Sequence, residues 1–523
     1  MKNISIEGYS DEAWHPIIKG VDLQIGRGEV LGLIGESGAG KSTLGLAAMG
    51  FVRSGCRFTS GSISFEGKDL AKLSEKEKQK LWGTKFSYVA QSAAAAFNPA
   101  HRLLNQTIES SLSHNLETKE NLQQEAIQLY KEMQLPNPEK IGNRYPHQVS
   151  GGQLQRTMTA MAMTSKPDLI IFDEPTTALD VTTQVNVLET IRSIVKEHQT
   201  AAIYITHDLA VVAQMADRIQ VLRYGETIEI AETKKMLKSP KQEYTKSLWA
   251  VRSIHKKEQT SDENILRIEN VDASYGSGPM VLKNININVP IGRTVAIVGE
   301  SGSGKSTTAR AITGLLPPIS GKVIFKGREL PTKLSDRSKE DLRRIQMVYQ
   351  SPDTSMNPRH TVRDIIGRPL KFYHGVVGDK YIKKIIELLK MIELDESFID
   401  RLPEELSGGQ KQRICIARAL AAEPDLIICD EVTSALDQIV QEGILKLLLR
   451  LQEELRISYI FITHDIATVK AIADEVVVMH QGLVVEQGLK KDIFSPPYPD
   501  YTELLLSSVP EMNPDWLNKI LLK

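Results

Sequence analysis

The feature that most constrains this chain is a stretch that occurs twice, as GESGAGKST at Gly35–Thr43 and as GESGSGKST at Gly299–Thr307, 264 residues later. Each copy follows a short apolar run and precedes a run typical of a helix. Glycines let the backbone of such a loop turn its N–H groups inward, and the helix that follows presents its positive N-terminus. Because a chance glycine-rich turn is a poor explanation for two matches in corresponding contexts, each copy is predicted to form a cradle for phosphate groups.

The side chains of both loops suit a nucleotide that is bound together with a metal ion. Lys41 and Lys305 would reach the β- and γ-phosphates, and the hydroxyls of the serines that follow them would bind Mg²⁺. The loop residues predicted to bind ATP are Gly35, Ser37, Gly38, Gly40, Lys41, Ser42 and Thr43 in the first half and Gly299, Ser301, Gly302, Gly304, Lys305, Ser306 and Thr307 in the second.

Aromatic residues upstream of the loops are candidates for binding the adenine base. Tyr9 lies 26 residues before Gly35, and Tyr275 lies 24 residues before Gly299. Either ring could stack on an adenine face. Trp14 is a competitor for Tyr9, and an ordinary surface or core tyrosine is the alternative in both halves.

Two polar motifs follow each loop. An apolar strand first ends in a glutamine, Gln91 or Gln350, which can reach Mg²⁺ and the attacking water. Ser-Gly-Gly-Gln later opens an alanine-rich helix and offers an anion a hydroxyl, bare N–H groups and a positive dipole end, although a plain helix N-cap is the alternative. The residues of this second motif, all candidates for ATP binding, are Ser150, Gly151, Gly152 and Gln153, and Ser407, Gly408, Gly409 and Gln410.

An apolar strand ends in Asp-Glu 23 residues after each motif serine, and an ITHD sequence places a histidine 34 residues beyond that aspartate. The aspartate can hold Mg²⁺ through water, and the glutamate is best placed to orient and polarise the attacking water. The histidine is expected to hydrogen-bond the γ-phosphate. The catalytic candidates are Glu174, His207, Glu431 and His464, and the predicted Mg²⁺ ligands are Ser42, Gln91, Asp173, Ser306, Gln350 and Asp430.

Composition limits the class of protein. A chain of 523 residues exceeds what one hydrophobic core supports, and its 64 basic and 65 acidic residues give no overall electrostatic case for nucleic-acid binding. Cys56, Cys415 and Cys429 lack metal-like spacing, and the last two are expected to be buried thiols, which fits a reducing cytoplasm. No apolar run reaches the ~18 residues of a membrane span, and the N-terminus lacks the apolar core of a signal peptide, so we expect a soluble protein.

Together these motifs resemble the full set of an ATP-binding cassette (ABC) ATPase, present twice over nearly the whole chain. The resemblance implies an α/β fold with two P-loop cassettes in tandem, each a RecA-like α/β core with an antiparallel β subdomain and an inserted helical subdomain. It also implies that the cassettes face each other head to tail, so that one half's phosphate loop and the other half's SGGQ signature enclose each ATP, and that the loops ending in Asp180 and Asp437 touch the opposite half. Departures are mild: Val149 replaces the usual signature leucine, and Val432 replaces the proline found at Pro175.

Finer features resemble one subfamily, the peptide and nickel importer ATPases. Asn98-Pro99 and Asn357-Pro358 follow the glutamines and resemble that subfamily's NP motif. The segments SPKQEYTKSLW and SPPYPDYTELLLSSVP, each with Pro and Tyr-Thr, are similar to its C-terminal extension. Some relatives carry a cysteine cluster there that binds iron and sulfur, but these extensions contain no cysteine, so no such cofactor is expected.

The predicted domains follow from these landmarks. The first cassette is expected at 1–249, with a helical insertion at about 92–148 and a C-terminal extension at about 232–249. A charged, polar linker at 250–264 leads to the second cassette at 265–523, with an insertion at about 351–405 and an extension at about 490–523. Fusion raises the mutual concentration of the halves, so we expect one chain per transporter.

The resemblance implies an ATP-hydrolysing transport subunit with ATP and Mg²⁺ as cofactors. Its expected partners are two membrane permeases and an extracytoplasmic substrate-binding protein, with no nucleic acid, and its expected location is the cytoplasmic face of the inner membrane, held there by its partners. The cargo would be peptides or related small solutes such as metal chelates or opines. The alternatives are a soluble tandem ATPase, such as a translation factor, whose long charged linker is not found here, and a tandem sugar-importer ATPase, whose second site is usually impaired.

Overall fold

The computed structural model describes residues 1–10, 12–176, 181–250, 254, 256–434 and 436–521. The chain divides into two compact units, the first comprising Met1–Ala250 with Ser508–Lys523 and the second comprising Val251–Ser507. The turn predicted to end in Asp180 lies outside the described residues.

The first unit contains the described elements up to Ala250 and one C-terminal helix. Its strands are β1 (Lys2–Ser10), β2 (Ala13–Val21), β3 (Val30–Ile34), β4 (Cys56–Ser62), β5 (Ser64–Phe65), β6 (Lys68–Asp69), β7 (Phe86–Val89), β8 (Leu169–Asp173), β9 (Ala201–Ile205), β10 (Arg218–Arg223) and β11 (Glu226–Glu232). Its helices are α1 (Lys41–Ala48), α2 (Glu75–Leu81), α3 (Ala93–Ala96), α4 (Leu103–Ser113), α5 (Lys119–Glu132), α6 (Pro138–Ile141), α7 (Gly151–Met163), α8 (Val181–Glu197), α9 (Leu209–Met215), α10 (Thr233–Lys238), α11 (Glu243–Ala250) and α22 (Trp516–Leu521).

The second unit repeats this order. Its strands are β12 (Asn264–Ser274), β13 (Met280–Pro290), β14 (Thr294–Val298), β15 (Ser320–Phe325), β16 (Arg328–Glu329), β17 (Ile345–Val348), β18 (Leu426–Asp430), β19 (Ser458–Ile462), β20 (Glu475–His480) and β21 (Leu483–Leu489). Its helices are α12 (Lys305–Thr313), α13 (Lys339–Arg344), α14 (Pro352–Ser355), α15 (Val362–His374), α16 (Asp379–Met391), α17 (Gly408–Leu420), α18 (Gln438–Leu455), α19 (Ile466–Ile472), α20 (Lys490–Ile493) and α21 (Asp500–Ser507).

Each unit is built around a six-stranded sheet, in the order β11-β10-β3-β9-β8-β7 in the first and β17-β18-β19-β14-β20-β21 in the second. All neighbours in these sheets are parallel except the antiparallel edge pairs β10–β11 and β20–β21. The strands β3, β8 and β9 are buried along their whole length, as continuous apolar runs covered by helices on both faces should be. A separate antiparallel sheet, β2-β1-β4 or β13-β12-β15-β16, completes the α/β fold predicted from the sequence.

The regular elements of the two predicted insertions are all helical in the described residues. The range 92–148 contains α3 to α6, and the range 351–405 contains α14 to α16. In α5 and just beyond it, Leu122, Ala126, Leu129 and Met133 are buried, as their spacing predicts. Ile385 and Leu389 are fully buried on α16. Cys415 and Cys429 are buried free thiols, as expected.

Each unit also receives the segment that follows the extension of the other half. In the first unit, Gln214 at the end of α9 donates from Nε2 to the carbonyl oxygens of Glu511 and Asn513, both at 2.7 Å, and accepts from Leu517 N at 3.1 Å. In the second unit, the linker residue Lys256 bonds Asp474, which lies just after α19 and is fully buried. The segment after each half's extension therefore packs on the unit formed by the other half. The sequence patterns do not predict this exchange.

Candidate functional site

The two phosphate-loop motifs connect a buried parallel strand to a helix, β3 to α1 and β14 to α12. In the first unit, Lys41 Nζ donates to the carbonyl oxygens of Gly35 and Glu36, both at 2.7 Å. In the second, Lys305 Nζ donates to the corresponding two carbonyls at 2.8 and 2.7 Å. Each ammonium group is therefore held over its own loop by the same pair of partners.

Glycine is required immediately before each of these lysines. Gly40 and Gly304 have φ values of 93° and 106°, in the left-handed region. A Cβ atom on Gly40 would lie 2.5 Å from Ile18 Cδ1, and one on Gly304 would lie 2.8 Å from Leu282 Cδ2. Because strand β2 or β13 passes this close, any larger residue would move the loop away from the start of the helix.

The predicted glutamine, glutamate and histidine meet in each unit. Glu174 Oε2 accepts from Gln91 Nε2 at 2.8 Å, and Glu174 Oε1 lies 3.0 Å from His207 Nδ1. In the second unit, Glu431 accepts from Gln350 at 2.7 Å and lies 3.5 Å from His464 Nδ1. The three residues come from separate strand ends, so the fold itself brings them together. Each carboxylate is consequently oriented by two side chains before any substrate binds.

Both histidines have a raised pKa. Burial alone would lower the pKa of His207 and of His464, but the hydrogen bond and negative charge of the neighbouring glutamate outweigh it. In the second unit, burial acts to raise the pKa of Glu431, yet the hydrogen bond from His464 leaves it lowered. The geometry therefore favours a charged histidine–glutamate pair in this state of the protein.

The aspartates that end β8 and β18 have different partners in the two units. Asp173 Oδ2 accepts a hydrogen bond from Tyr88 Oη at 2.7 Å. Asp430 Oδ1 accepts one from Ser306 Oγ at 3.0 Å, which places two predicted metal ligands together. Burial, then the charge and hydrogen bond of Asp173, raise the pKa of Tyr88, so its hydroxyl stays protonated as the donor. Burial also raises the pKa of Asp430.

The oxygen atoms gathered here suit Mg²⁺. Hydroxyl, carboxylate and amide oxygens are hard ligands, and Mg²⁺ in nucleotide sites takes one or two protein oxygens together with water and phosphate oxygens. The Ser306–Asp430 contact provides such a pair next to Lys305, whose charge acts on Asp430. The residues present therefore fit the metal that the sequence predicts.

The signature residues begin α7 and α17. Ser150 Oγ accepts from Gln153 N at 3.2 Å while Gln153 Oε1 accepts from Ser150 N at 3.2 Å, and Ser407 and Gln410 form the same capping box. Ser150 and Ser407 therefore do cap their helices, which is the alternative role that the sequence left open. Asp437 also caps a helix, accepting from Val440 N at 3.0 Å at the start of α18.

The predicted adenine-binding aromatics differ between the units. Tyr275 is 46% exposed, and its hydroxyl lies 3.4 Å from Thr307 Oγ1 and accepts from Arg310 at 2.9 Å. Tyr9 instead packs against Trp14, with ring centroids 5.3 Å apart, and the guanidinium of Arg57 lies 3.9 Å from the Trp14 ring centroid. Tyr275 is thus tied directly to the phosphate-loop helix, whereas Tyr9 shares its position with the competing tryptophan.

Two kinds of site residue escaped the sequence reasoning. Tyr88 contacts a predicted metal ligand, and Tyr244 and Tyr501 contact the phosphate loops from the C-terminal extensions. The second pair had a signal: both tyrosines lie 37 residues after the ITHD histidine of their half, inside the Tyr-Thr segment. Tyr88 had none, because its position is occupied by Met347 in the other half.

No helix in the part of the chain that the structure describes is long and apolar enough to cross a membrane. Residues 18–177 and 282–434 match the family described as ABC transporter, and residues 485–522 match the oligopeptide/dipeptide transporter C-terminal region.

Several known proteins resemble this chain. The glutathione import ATP-binding protein GsiA of Salmonella choleraesuis (strain SC-B67) is 36% identical over 542 residues, which cover 95% of this chain and 87% of that protein. GsiA of Escherichia coli (strain K12) is 34% identical over 559 residues, which cover 98% and 90%. The structure of cbiO1 from Clostridium perfringens, part of the ABC transporter complex cbiONQ, covers 45% of this chain and 91% of its own, with 33% identity and a TM-score of 0.41. Because the family matches both halves and the two GsiA proteins align with nearly the whole sequence, the chain belongs to the ABC transporter family, in which it is an ATP-hydrolysing transport ATPase with two cassettes.

Proposed function

We propose that the chain is the energising subunit of a membrane importer, with two ATP sites that both hydrolyse. The observation that carries this proposal is the glutamine–glutamate–histidine group, which is found beside a phosphate-loop lysine in both units. A tandem ATPase with one impaired site would lack part of this group in one half. By analogy with the family, each ATP would be enclosed by one half's phosphate loop and the other half's signature.

The proposed roles follow from the geometry. Glu174 and Glu431 accept a proton from, or polarise, the attacking water, and their orientation is set by the glutamine and histidine that bond them. The charged histidine is also a donor suited to the γ-phosphate. Each lysine ammonium group has three donors, so it can donate to a phosphate oxygen while loop carbonyls still orient it. Mg²⁺, held by the serine, the aspartate and the glutamine, would neutralise charge on the β- and γ-phosphates.

The proposed cargo is a small peptide, with glutathione-like tripeptides included. Two observations support this class: the C-terminal region matches that of oligopeptide and dipeptide transporters, and the two relatives described above are named for glutathione import. The cargo itself would be recognised by other subunits. We therefore propose two permeases and an extracytoplasmic binding protein as partners, which hold the chain at the cytoplasmic face of the membrane.

Co-purification tests this proposal. The tagged full-length protein is extracted from gently solubilised membranes of its host, with and without ATP, and its partners are identified by mass spectrometry. Two multi-span permeases and an exported binding protein are the expected partners, and the binding protein can then be titrated with peptides and glutathione. Ribosomes as the main partner, or no membrane protein at all, would contradict the importer and favour a soluble tandem ATPase.

A further inference from the structure

A tyrosine from each C-terminal extension reaches the backbone of a phosphate loop. Tyr244 in α11 accepts a hydrogen bond from Glu36 N at 3.2 Å, and Tyr501 in α21 accepts one from Glu300 N at 3.0 Å. Glu36 and Glu300 occupy the same position, the second residue of the repeated motif. The contact is therefore made twice, independently, by residues more than two hundred positions away in the chain.

Each tyrosine is held firmly in place. Tyr244 is 8% exposed, and the guanidinium of Arg223 lies 4.5 Å from its ring centroid. Burial raises the pKa of Tyr244 to about 12, and the negative charge of Glu36 acts in the same direction. In the second unit, the Tyr501 ring packs on His480, the counterpart of Arg223, with centroids 4.0 Å apart. Both hydroxyls are thus fixed by packing from β10 or β20.

The loop residue that the tyrosine bonds also bonds the phosphate-loop lysine. The carbonyl of Glu36 accepts from Lys41 Nζ, and the carbonyl of Glu300 accepts from Lys305 Nζ, each at 2.7 Å. The N–H group of this residue also shares a rigid peptide plane with the carbonyl of the preceding glycine, Gly35 or Gly299, which is the lysine's other acceptor, at 2.7 or 2.8 Å. Holding the N–H group therefore fixes that carbonyl. Without the tyrosine, the N–H group would lose its partner at a partly buried position.

We propose that Tyr244 and Tyr501 are positioning residues for ATP binding, through which each C-terminal extension orients the phosphate loop of its own cassette. This inference rests on the proposed role of the two loops in holding ATP. Neither tyrosine lies in the regions matched by the ABC family, 18–177 and 282–434, and Tyr501 lies in the oligopeptide/dipeptide transporter C-terminal region. Each extension therefore contributes a residue that contacts the phosphate loop of the nucleotide site.

The test uses the full-length protein with Tyr244→Phe, Tyr501→Phe and the double variant. Phenylalanine keeps the ring packing and removes only the hydroxyl. Tyr498→Phe is the matched control, because the Tyr498 hydroxyl bonds Phe494 O within the same extension and does not touch the loop. Affinity is measured with the fluorescent nucleotide MANT-ATP, KM and kcat are measured with ATP, and the melting temperature is measured without nucleotide.

Loss of one backbone hydrogen bond in each loop should weaken MANT-ATP binding and raise KM by about 3- to 10-fold, while kcat stays within about 2-fold. The nucleotide-free melting temperature should match that of Tyr498→Phe. If both single variants bind MANT-ATP as tightly as that control, the positioning role is wrong. If affinity falls only together with the melting temperature, the tyrosines merely support the fold, and the inference is overturned as well.

A reference variant separates this inference from the proposed function. Lys41→Ala should weaken MANT-ATP binding at one site whether or not Tyr244 matters. If Lys41→Ala leaves the affinity unchanged, the proposed nucleotide role of the loop fails. If Lys41→Ala weakens binding and Tyr244→Phe does not, the loop role stands and only the role of the extension fails.

Discussion

In the first unit the carboxylate of Asp173 accepts its hydrogen bond from Tyr88, whereas in the second unit the corresponding Asp430 accepts one from Ser306. The backbone does not cause this difference, because Tyr88 pairs with Ile171 and Met347 pairs with Ile428, two residues before the aspartate in both sheets. The side chain at this position differs, since it is a tyrosine in the first unit and a methionine in the second. Two sites with the same motif residues can therefore hold a metal-binding aspartate in different ways.

The consequence lies in what must happen when a metal ion binds. Ser306 and Asp430 are both proposed ligands, and their hydrogen bond can persist, because Ser306 Oγ donates its proton to Asp430 and keeps its lone pairs for the ion. Tyr88 is not a proposed ligand, and its bond to Asp173 Oδ2 would leave the second carboxylate oxygen for the metal ion or its bound water. The guanidinium of Arg53 acts on the Tyr88 hydroxyl as well, and the second half has Pro317 at the corresponding position. The aspartate of the first site is thus oriented by a side chain outside the proposed ligand set, and that of the second site by a fellow ligand.

The polar contacts that hold the exchanged segments also differ between the two units. In the second unit, Lys256 brings a charge to Asp474, which is 0% exposed and also accepts from Thr294 N at 2.9 Å. In the first unit, Gln214 holds the C-terminal segment with neutral hydrogen bonds, Arg192 donates to Asn518 Oδ1 at the surface, and Leu517 and Trp516 are buried. The docking places correspond, but the buried polar contact is an ion pair in the second unit and a set of neutral amide hydrogen bonds in the first.

The largest expected effect tests whether both sites hydrolyse ATP. Glu174→Gln and Glu431→Gln should each lower ATP turnover by about 100-fold or more, because the base is lost while the shape is kept. MANT-ATP affinity should stay near that of the native protein. Turnover is measured by phosphate release, with the exposed Glu120→Gln as a control. Near-native turnover in either variant would contradict the proposal that both sites are competent and that their hydrolysis is coupled.

A comparison of the exchanged segments should give the next largest effect. Lys256→Met leaves Asp474 buried without its cation and should destabilise the second unit by about 3–5 kcal/mol. Gln214→Ala removes neutral bonds and should cost the first unit about 1–3 kcal/mol. Hydrogen exchange measured at α19 and α9 reports each unit separately, with the exposed Lys257→Met as the control. Equal protection in all three variants would mean that neither docked segment contributes to stability.

The smallest expected effect concerns the metal aspartates, and a swap of side chains can test it. Tyr88→Phe should raise the Mg²⁺ concentration needed for nucleotide binding at the first site by about 10-fold, because a partner of a metal ligand is lost. Met347→Tyr should lower the requirement at the second site, and Met347→Leu should not change it. Mg²⁺ titrations with MANT-ATP, in a background carrying both Glu→Gln changes, provide the measurement. Identical titrations for all variants would show that the two metal sites are equivalent.

The local parts of each site could be predicted from the sequence because they depend on neighbouring residues. A strand, a glycine-rich turn and a helix N-terminus follow one another within the nine residues of Gly35–Thr43 and their flanks, and backbone geometry alone turns the N–H groups inward. Because the motif occurs twice in corresponding contexts, a phosphate-binding loop was a better explanation than a chance glycine-rich turn. The Asp-Glu pair and the ITHD histidine could be predicted in the same way, since each lies at the carboxyl end of an apolar strand.

Contacts between residues far apart in the chain were decided only by the tertiary structure. Tyr244 and Tyr501 meet their loops because β10 or β20 returns beside the phosphate-loop strand and carries the extension with it. Tyr88 meets Asp173 because two parallel strands pair in one register, and the exchanged segments dock where a buried Gln214 or Asp474 needs partners. Sequence patterns report periodicity and local turns, whereas the partner of a buried polar group depends on which distant segment the folded chain places against it. The sequence therefore predicted the residues that carry the chemistry of the two sites. Tertiary packing determined which distant residues hold them in place and how the two sites differ.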